Sequence, residues 1–268
     1  MNTLAYSPRD FIAEICREQG INFETLSQDY ITRLSKGDVV RHVMWSNWDI
    51  NPATADRIAC DKSACYIVLS HCGVPAVPHE ILQHPIRRQG WTGAKGTWTH
   101  ALEYFDIHKK IVAKPNHGTN GQDVYLCNTV QDMEAAVHAI FQNNPDAALS
   151  PYCDIKTEYR VFYVNGKTPL VYGKTPTPGN WRHNLTQGAT AFELSDEKQL
   201  AKLKNLASRA ANAISINFAT IDIVQLQTDK LQVMEINSGV QARQLLEQLP
   251  HLRPVIKSIY AEAVKGMF

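Results

Sequence analysis

The chain has 268 residues, of which 44% are hydrophobic and 20% charged, as in ordinary globular proteins. This length allows a sizeable core and favours one compact body with two lobes. The net charge of +1 argues against general nucleic-acid binding, which needs a basic excess. Neither a leader pattern nor an apolar run of the roughly 18 residues of a membrane span occurs, so we expect a cytoplasmic protein without a membrane partner.

The six cysteines form no C-x-x-C pair, and several stand in apolar runs. Free, half-buried thiols are therefore expected. Cys60, Cys65, His71 and Cys72 lie close together in the sequence, but their spacing fits no common zinc pattern.

The first 55 residues alternate helix and strand patterns. Residues 11–19 predict a short helix ended by Gly20, and residues 21–26 and 38–45 predict strands. These elements indicate a small α/β lobe.

The next segment is predicted to be helical and then irregular. Pro52 opens one helical pattern that runs to residue 72 and is closed by Gly73, and VPAVP (74–78) is predicted to be extended. Residues 84–100 carry Gly, Pro and basic residues without a clear period, which indicates an irregular loop. Its basic residues suit either an acidic partner or a solvated surface.

A glycine-containing loop follows between two β-prone runs, 111–114 and 124–127, in the stretch IVAKPNHGTNGQDV. A P-loop places its lysine after the glycines and a helix directly behind them, whereas here the lysine comes first and a strand follows. The loop is therefore predicted to connect two strands.

This strand-to-strand loop has the composition of an anion-binding flap. Gly118 and Gly121 permit close backbone approach to an anion, Thr119 and Asn120 add donors, and Lys114 supplies a cation. A solvated hairpin turn with an incidental lysine explains the same residues, and the loop alone does not decide between them.

The remaining elements alternate helices with strand pairs. Thr129 is predicted to cap a helix with Asp132 three residues on, and Ser195 is predicted to cap another that runs to Ile214. Strands are predicted at 158–164, from 166 to Lys174, and in the runs FATIDIVQL and LQVMEIN, with a loop at 175–190 and a C-terminal helix near residue 254.

The last two strands predict a pair of facing acids. With Thr228 and Asp229 as a two-residue turn, Asp222 lies opposite Glu235, and Asn237 shares their face. A three-residue turn would break this register. Like charges directly opposite are destabilising, and a hard cation such as Mg²⁺ would remove the conflict. Two solvent-facing acids are the alternative.

The strand at 158–164 places Glu158 and Arg160 on one face. A carboxylate can accept from ribose hydroxyls and a guanidinium can bind phosphate oxygens, with Lys174 close enough to join them. A surface ion pair explains the same residues.

The order of these motifs resembles the ATP-grasp superfamily, and most closely the branch of glutamate ligases that modify ribosomal protein tails, with D-alanine:D-alanine ligases further off. The resemblance covers residues 47–245 and rests on five ordered blocks: N…A..IA.DK…L...GVP.VP, KPNHGTNGQDV, EYRVFYVNGK, NWRHNLTQGA and Asp222 followed by MEINSG. It implies an α/β (α+β) ATP-grasp fold, with two α+β lobes clasping ATP behind a short pre-ATP-grasp lobe. The expected bounds are 1–55 for the short lobe, 56–149 for the first lobe with the flap and 150–268 for the second lobe with the metal site.

The resemblance also implies roles for individual residues. The expected nucleotide-binding set is Lys62, Lys114, Gly118, Thr119, Asn120, Gly121, Ser150, Tyr152, Cys153, Glu158 and Lys174. Mg²⁺, with Mn²⁺ as a substitute, is expected on Asp222, Glu235 and Asn237. Arg160, Arg182 and Asn184 are expected to be catalytic, lining the phosphate and acceptor region, and His117 and His183 are candidates for handling protons.

The chain departs from the family pattern at the turn after the metal-binding asparagine, which in the family borders the acceptor substrate, and at one position of the fourth block. Ser238, Gly239 and Val240 follow the metal-binding asparagine without the proline often found there, and the second glycine expected in the fourth block is Ala189. The lobe before Asn51 is also short for the family. The identity of the substrates is therefore open.

The implied reaction is ATP-dependent ligation of a carboxylate to an amine through an acylphosphate, with small-molecule or peptide substrates. A small-molecule kinase on the same fold and a non-catalytic nucleotide-binding module are the alternatives. Homo-oligomer formation is left open.

Overall fold

The computed structural model describes residues 7–27, 30–88, 90, 95–118, 121–179, 181 and 183–268. An N-terminal lobe pairs helix α1 with a four-stranded antiparallel sheet in the order β1-β2-β3-β4. Its elements are α1 (Pro8–Gln19), β1 (Asn22–Ser27), β2 (Ile31–Lys36), β3 (Val39–Met44) and β4 (Asn47–Trp48). Helix α1 ends at Gly20, whose φ of 64° is left-handed, as the sequence predicts.

The first lobe of the larger body carries helices around an antiparallel sheet in the order β5-β8-β6-β7. Two helices, α2 (Ala53–Cys60) and α3 (Lys62–His71), precede this lobe in the chain, and their buried apolar residues belong to the core against the second lobe's sheet. The elements of the first lobe are β5 (Glu80–Gln83), α4 (Thr97–His108), β6 (Ile111–Pro115), β7 (Tyr125–Cys127), α5 (Val130–Asn143) and β8 (Asp146–Pro151). Strands β6 and β7 pair antiparallel, so the glycine loop joins two strands, as predicted. Thr129 and Asp132 form the predicted cap of α5 as a complete capping box.

The second lobe is built on a five-stranded antiparallel sheet in the order β11-β10-β9-β12-β13. Its elements are β9 (Ile155–Val164), β10 (Lys167–Thr175), β11 (Thr190–Glu193), α6 (Glu197–Ile214), β12 (Phe218–Leu226), β13 (Leu231–Asn237), α7 (Arg243–Gln248) and α8 (Arg253–Met267).

Both faces of this central sheet are covered. On β9, Val161 and Tyr163 pack with α6 and the helices before β5, whereas Phe162 and Val164 pack with α1, α8 and the N-terminal sheet. Asn51 fixes the junction, because its side chain accepts from the backbone N–H of Phe218 at 2.8 Å and donates to the carbonyl of the same residue at 2.9 Å. The N-terminal sheet is therefore held directly against the sheet that carries the acidic residues.

Several predicted boundaries are wrong. The single helix predicted from residue 52 to 72 is two helices, because Asp61 is extended and accepts from the backbone N–H of Ala64, so that it caps α3. Asp196, not Ser195, caps α6. Helix α4 begins inside the stretch predicted to be an irregular loop, and β11 lies at the end of the predicted loop 175–190. No helix among the described residues is long and apolar enough to cross a bilayer.

Candidate active site

One face of the central sheet changes from apolar to charged along its strands. Phe162, Tyr172 and Phe218 on β9, β10 and β12 pack against the N-terminal lobe. Arg160 and Lys174 each lie two residues from the aromatic residue of their strand, and Asp222 lies four residues from Phe218. These even spacings place all three charged side chains on the same face as the aromatic ones. Strand alternation therefore places the charges where the core ends and a cavity begins.

Asp222 is the centre of this charged group and is only 2% exposed. Arg160 donates to both of its oxygens, with Nε–Oδ1 at 2.7 Å and Nη2–Oδ2 at 2.6 Å, and Lys174 Nζ lies 3.1 Å from Oδ1. Burial opposes ionisation, but the two cations outweigh it and hold the pKa of Asp222 well below its usual range. Lys174 also forms an ion pair with Glu158.

Asp222 pairs with Glu235 across β12 and β13, as the sequence predicts, but by a different route. The turn between Leu226 and Lys230 has three residues rather than two: the backbone N–H of Leu226 donates to the carbonyl of Lys230 at 2.9 Å, and the backbone N–H of Asp229 donates to the carbonyl of Leu226 at 2.8 Å. A shift of register between Asp222 and Ile223 then restores the pairing. The same irregularity lets Met234 and Glu235, although adjacent, both line the cleft.

Asn237 completes the predicted acidic group. Its Nδ2 lies 3.2 Å from Asp222 Oδ2 and 3.3 Å from Glu235 Oε1, so the amide touches both acids. Rotating the amide by half a turn would present its oxygen to the same point. Two carboxylates and an amide oxygen are a donor set that suits Mg²⁺. Within the described ranges, no group of three or more His, Cys, Asp or Glu is arranged to hold a metal, which also gives no support to a zinc site at Cys60.

Lys62 is held beside the glycine flap by α3. Its backbone N–H donates to the carbonyl of Asn116 at 3.2 Å, and its Nζ donates to the carbonyl of Gly118 at 2.8 Å. Asn116 is fully buried and accepts from both the backbone N–H and the hydroxyl of Ser63. The flap and the start of α3 are thereby locked together.

Lys114 lies at the end of β6, 8% exposed, and its Nζ is 4.0 Å from the sulfur of Met234. Burial, and then the nearby Lys62, lower the pKa of Lys114 to about 8. Neither lysine has an ion pair among the residues that the structure describes.

A cleft of about 960 Å³, including its solvent-open mouth, lies between the two lobes. Lys62, Lys114 and Gly118 line one side, and Asp222 and Glu235 line another. Its further lining contains the predicted residues Gly121, Ser150, Tyr152, Cys153, Glu158, His183 and Asn184. A wider cavity of about 1830 Å³, which includes its solvent-open mouth, adjoins it and shares Lys62, Gly118, Asn184 and Glu235 with it.

A family model for the RimK-like ATP-grasp domain matches residues 61–250. The chain belongs to this family. Among curated relatives, a probable alpha-L-glutamate ligase of Aeromonas salmonicida is 30% identical over 133 residues, 48% of this chain and 43% of that one. The uncharacterized protein MG011 homolog of Mycoplasma pneumoniae is 30% identical over 152 residues, 55% of this chain and 51% of that one. These matches span about half the length of the relatives.

Solved structures share the fold. D-alanyl-alanine synthetase A of Vibrio cholerae superposes with a TM-score of 0.69 at 12% identity, over 96% of this chain and 92% of that one. A D-alanine–D-alanine ligase of Bacillus anthracis, complexed with ATP, gives a TM-score of 0.61 at 13% identity, over 81% and 67%. At these identities the likeness shows the ATP-grasp architecture alone.

The structure brings most of the predicted ATP-grasp site residues to one cleft. Gly121 has a φ of +69°, and a Cβ there would lie 3.3 Å from Asn184 Oδ1, so the flap meets the second lobe at this glycine. Arg160 and Asn237 line the adjoining wider cavity. Three further predicted residues, Thr119, Asn120 and Arg182, lie outside the described residues.

Three residues of the expected nucleotide-binding set, Ser150, Tyr152 and Cys153, follow one another along one wall of this ATP-grasp cleft. Ser150 is 3% exposed, and the Nζ of Lys110 lies 3.8 Å from the ring centroid of Tyr152. Burial raises the pKa of the Cys153 thiol, whose sulfur lies 3.7 Å from the carbonyl of Pro151. A neutral thiol and an aromatic ring suit an uncharged planar group at this wall.

Sequence reasoning missed three residues of the site. Asn116 anchors the flap, Met234 contacts Lys114, and Trp181 lines the cleft beside Tyr152, with ring centroids 6.5 Å apart. Asn116 and Trp181 stand inside the quoted blocks KPNHGTNGQDV and NWRHNLTQGA, so their position was a signal for them. Met234 faces the cleft because of the register shift, which no sequence pattern indicated.

Proposed function

We propose that the chain is an ATP-dependent carboxylate–amine ligase that forms an amide bond through an acylphosphate. One observation carries this proposal. Lys62 and Lys114 share a cleft with Asp222 and Glu235, yet the lysines contact a carbonyl and a thioether rather than the acids. Lys62, Lys114 and Glu235 have no ion pair among the described residues, whereas Asp222 is held by Arg160 and Lys174. Cations and an acid that stay unpaired in one cleft suit a ligand that carries both phosphate charge and a cation, such as Mg²⁺–ATP.

Asp222, Glu235 and Asn237 are the residues that would hold Mg²⁺. When bound, the ion supplies Lewis-acid stabilisation of phosphate charge. Asn237 touches both acids, which supports this assignment. Arg160 and Lys174 keep Asp222 ionised, so it is ready to act as a ligand without first losing a proton.

The proposed reaction has two steps. A substrate carboxylate oxygen attacks the γ-phosphorus of ATP, the bond from that phosphorus to the β,γ-bridging oxygen breaks, and ADP leaves. An amine nitrogen then attacks the acyl carbon of the acylphosphate, phosphate leaves, and the nitrogen gives its proton to solvent. The chain contributes mainly position and electrostatics, since a loose phosphoryl-transfer transition state needs little covalent help.

Each charged residue has a place in this scheme. Lys62 and Lys114 stabilise negative charge on the phosphates from the flap side, while Asn184 and Arg160 line the side toward the wider cavity. Gly118 and Gly121 let the flap close over the phosphates and keep water from the acylphosphate. His117, 3.3 Å from Asp61, lines the wider cavity and the buried His183 lines the cleft, which makes both candidates for carrying the amine's proton to solvent.

The substrates are small-molecule or peptide carboxylates and amines. The name of the Aeromonas relative makes glutamate the first carboxylate and the first amine to test. No nucleic-acid partner is proposed, because the chain has no basic excess.

The proposal is tested by incubating the protein with ATP, Mg²⁺ and pairs of carboxylates and amines. Ligation yields ADP, free phosphate and a product whose mass matches the amide, and chelation of Mg²⁺ abolishes all three. A phosphorylated product without free phosphate would show a kinase instead. Retention of full ATP turnover by a Glu235→Ala variant would remove the metal assignment.

A further inference from the structure

The turn between β3 and β4 places an aromatic side chain at the mouth of the wider cavity. Met44 pairs with Asn47, so Trp45 and Ser46 form a two-residue loop. All three loop-region residues from Trp45 to Asn47 line the cavity that reaches Glu235 and Asn237. This turn belongs to the N-terminal lobe, which lies outside the region matched by the family model.

Trp45 occupies a backbone conformation that its side chain disfavours. Its φ is +54°, where glycine or asparagine is normally found in two-residue hairpin loops. The conformation is held by a hydrogen bond from the backbone N–H of Trp45 to the carbonyl of Tyr30 at 3.0 Å. A bulky residue kept in such a conformation is a sign that its side chain serves a function.

The indole is also unusually open to solvent. Trp45 is 69% exposed, and its ring contact is an edge-on one with Tyr30, with centroids 5.3 Å apart. The hydrophobic effect disfavours this exposure, and the indole would bury apolar area only if a ligand covered it.

The turn lies against the end of the strand that carries the candidate metal ligand Asn237. A Cβ built on Gly239 would lie 2.8 Å from the hydroxyl oxygen of Ser46, so the turn packs directly on the backbone two residues after Asn237. Trp45 is therefore next to a close contact between the N-terminal lobe and the end of β13.

The outer wall of the cavity, formed by Trp45, Ser46 and Asn47 of the turn, carries no charged side chain. The hydroxyl and amide side chains of Thr186, Gln241 and Gln244 line the same cavity. The cationic lining residues Lys62, Arg160 and Lys174 belong to the nucleotide end, where they contact the flap or Asp222. A substrate group that reaches the outer wall thus meets an aromatic surface and neutral polar groups.

We propose that Trp45 determines substrate specificity by packing its indole against an uncharged apolar or aromatic group on the substrate, distant from the reacting carboxylate or amine. This inference rests on the proposed ligase function and adds the chemistry of the group recognised. Without its solvent-open mouth the cavity holds about 600 Å³, within the about 300–1,000 Å³ of ordinary small-molecule pockets, and its lining runs from Glu235 and Asn237 to the turn, so a substrate can extend from the reacting groups to Trp45.

The test compares substrates that share a reacting group and differ in the distal group. L-alanine is compared with L-phenylalanine, and alanyl-glycine with phenylalanyl-glycine. Each compound is paired with L-glutamate and is tried both as the carboxylate and as the amine. Trp45→Gly removes the indole and suits the positive φ, so the turn is kept. Trp45→Phe retains an aromatic ring. Ile107→Ala, on the remote helix α4 and 73% exposed, controls for loss of exposed apolar surface.

We expect the intact protein to prefer the phenylalanine compounds, and Trp45→Gly to lower that preference in kcat/KM by about 3- to 10-fold. Trp45→Phe should keep most of the preference, Ile107→Ala all of it, and KM for ATP should not change. An equal preference in Trp45→Gly and the intact protein would overturn the inference. The inference would also be overturned if light scattering showed that Trp45→Gly dissociates an oligomer, because the indole would then belong to an interface between copies of the chain.

Calorimetry separates failure of this inference from failure of the ligase function. Phenylalanyl-glycine and alanyl-glycine are titrated into the protein with Mg²⁺ and a non-hydrolysable ATP analogue, so that no turnover is needed. If no pair yields phosphate or amide, the ligase function fails. Weaker binding of phenylalanyl-glycine by Trp45→Gly still upholds the role of Trp45, whereas equal binding, or none by the intact protein, refutes it.

Discussion

Asp222 and Glu235 face each other across two strands, yet the structure predicts that their loss has very different effects on stability. Asp222 is buried and bound by Arg160 and Lys174. Glu235 has no ion pair among the described residues and contacts the amide of Asn237 at 3.3 Å. We therefore compare Asp222→Asn with Glu235→Gln, two changes that each replace one carboxylate by an amide of the same shape.

Breaking a buried ion pair from one side costs about 3–5 kcal/mol, because the partner charge is left buried. The lower end applies to Asp222→Asn, since Lys174 keeps its ion pair with Glu158 and the Arg160 side chain is 25% exposed. We expect a loss of about 3 kcal/mol in the free energy of unfolding, or about 6 °C in Tm for a chain of this size. Glu235→Gln should change stability by no more than about 1 kcal/mol, because it relieves a repulsion and breaks no pair.

Urea unfolding of both variants without nucleotide or metal measures this difference, and phosphate release measures activity. Both variants should lose about 100-fold or more in ATP-dependent turnover. The intact protein should also lose stability as the pH falls through the acid range. The pKa of Asp222 is held below its unfolded value, so the contribution of this residue is complete above the unfolded pKa and is lost progressively as the pH falls toward the folded pKa. Asp222→Asn should lose less. Equal unfolding midpoints for the two variants would refute the assignment of Asp222 as the charge that stabilises Arg160 and Lys174.

Three further predictions concern other parts of the chain. Lys114 has a pKa of about 8 and therefore loses its charge as the pH rises. ATP affinity measured by calorimetry should fall about tenfold between about pH 7 and about pH 9. The Lys114→Met variant should bind ATP weakly, and a strong pH dependence of its affinity would contradict the reasoning. Gly173→Ala would place a Cβ 2.1 Å from the ring of Phe192 and should lower the free energy of unfolding, measured in urea, by about 1–3 kcal/mol. Adding Phe192→Ala should restore that stability. An unchanged unfolding midpoint in Gly173→Ala would count against the close approach. Thr129→Ala should cost about 1 kcal/mol through the α5 cap, and a value near zero would show that the capping box with Asp132 is not needed.

The sequence predicted the elements whose stability comes from their own pattern. The helix at α5 was recognised because its cap and its buried stripe are both local, and β12 and β13 because their apolar runs are long. The two-residue β4 and the four-residue β5 and β11 carry too few residues for such a pattern. They are strands because neighbouring strands pair with them, which is a tertiary effect.

The start of helix α4 was missed for a different reason. Thr97 follows Gly96, whose φ is +73°, and the helix has no side-chain cap. Its first turns contain Thr, Trp and His, residues that favour helices only weakly. The helix forms because Ala101, Tyr104 and Phe105 are buried in the first-lobe core, and burial outweighs propensity.

The pairing of Asp222 with Glu235 was predicted correctly, although the turn from which it was predicted has a different length. Sequence reasoning required a two-residue turn, whereas the turn has three residues and would by itself shift Glu235 out of register. The irregularity at Met234 shifts the strand back, and Val233 and Ile236, three apart, both face the core as a result. Since the register is set by which side chains must be buried, the burial of these two apolar residues decides the pairing more firmly than the turn does.

No sequence pattern determines which cations of the site are free to bind a ligand. Arg160, Lys174, Lys62 and Lys114 all stand in motifs that suit phosphate binding. In the folded chain, Arg160 and Lys174 are bound to Asp222, whereas Lys62 and Lys114 have neutral partners. Because a cation already paired with a buried acid gains less from a phosphate than an unpaired one, the two lysines should contribute most of the nucleotide affinity. Arg160 and Lys174 then act chiefly by fixing Asp222 in its ionised form and orientation.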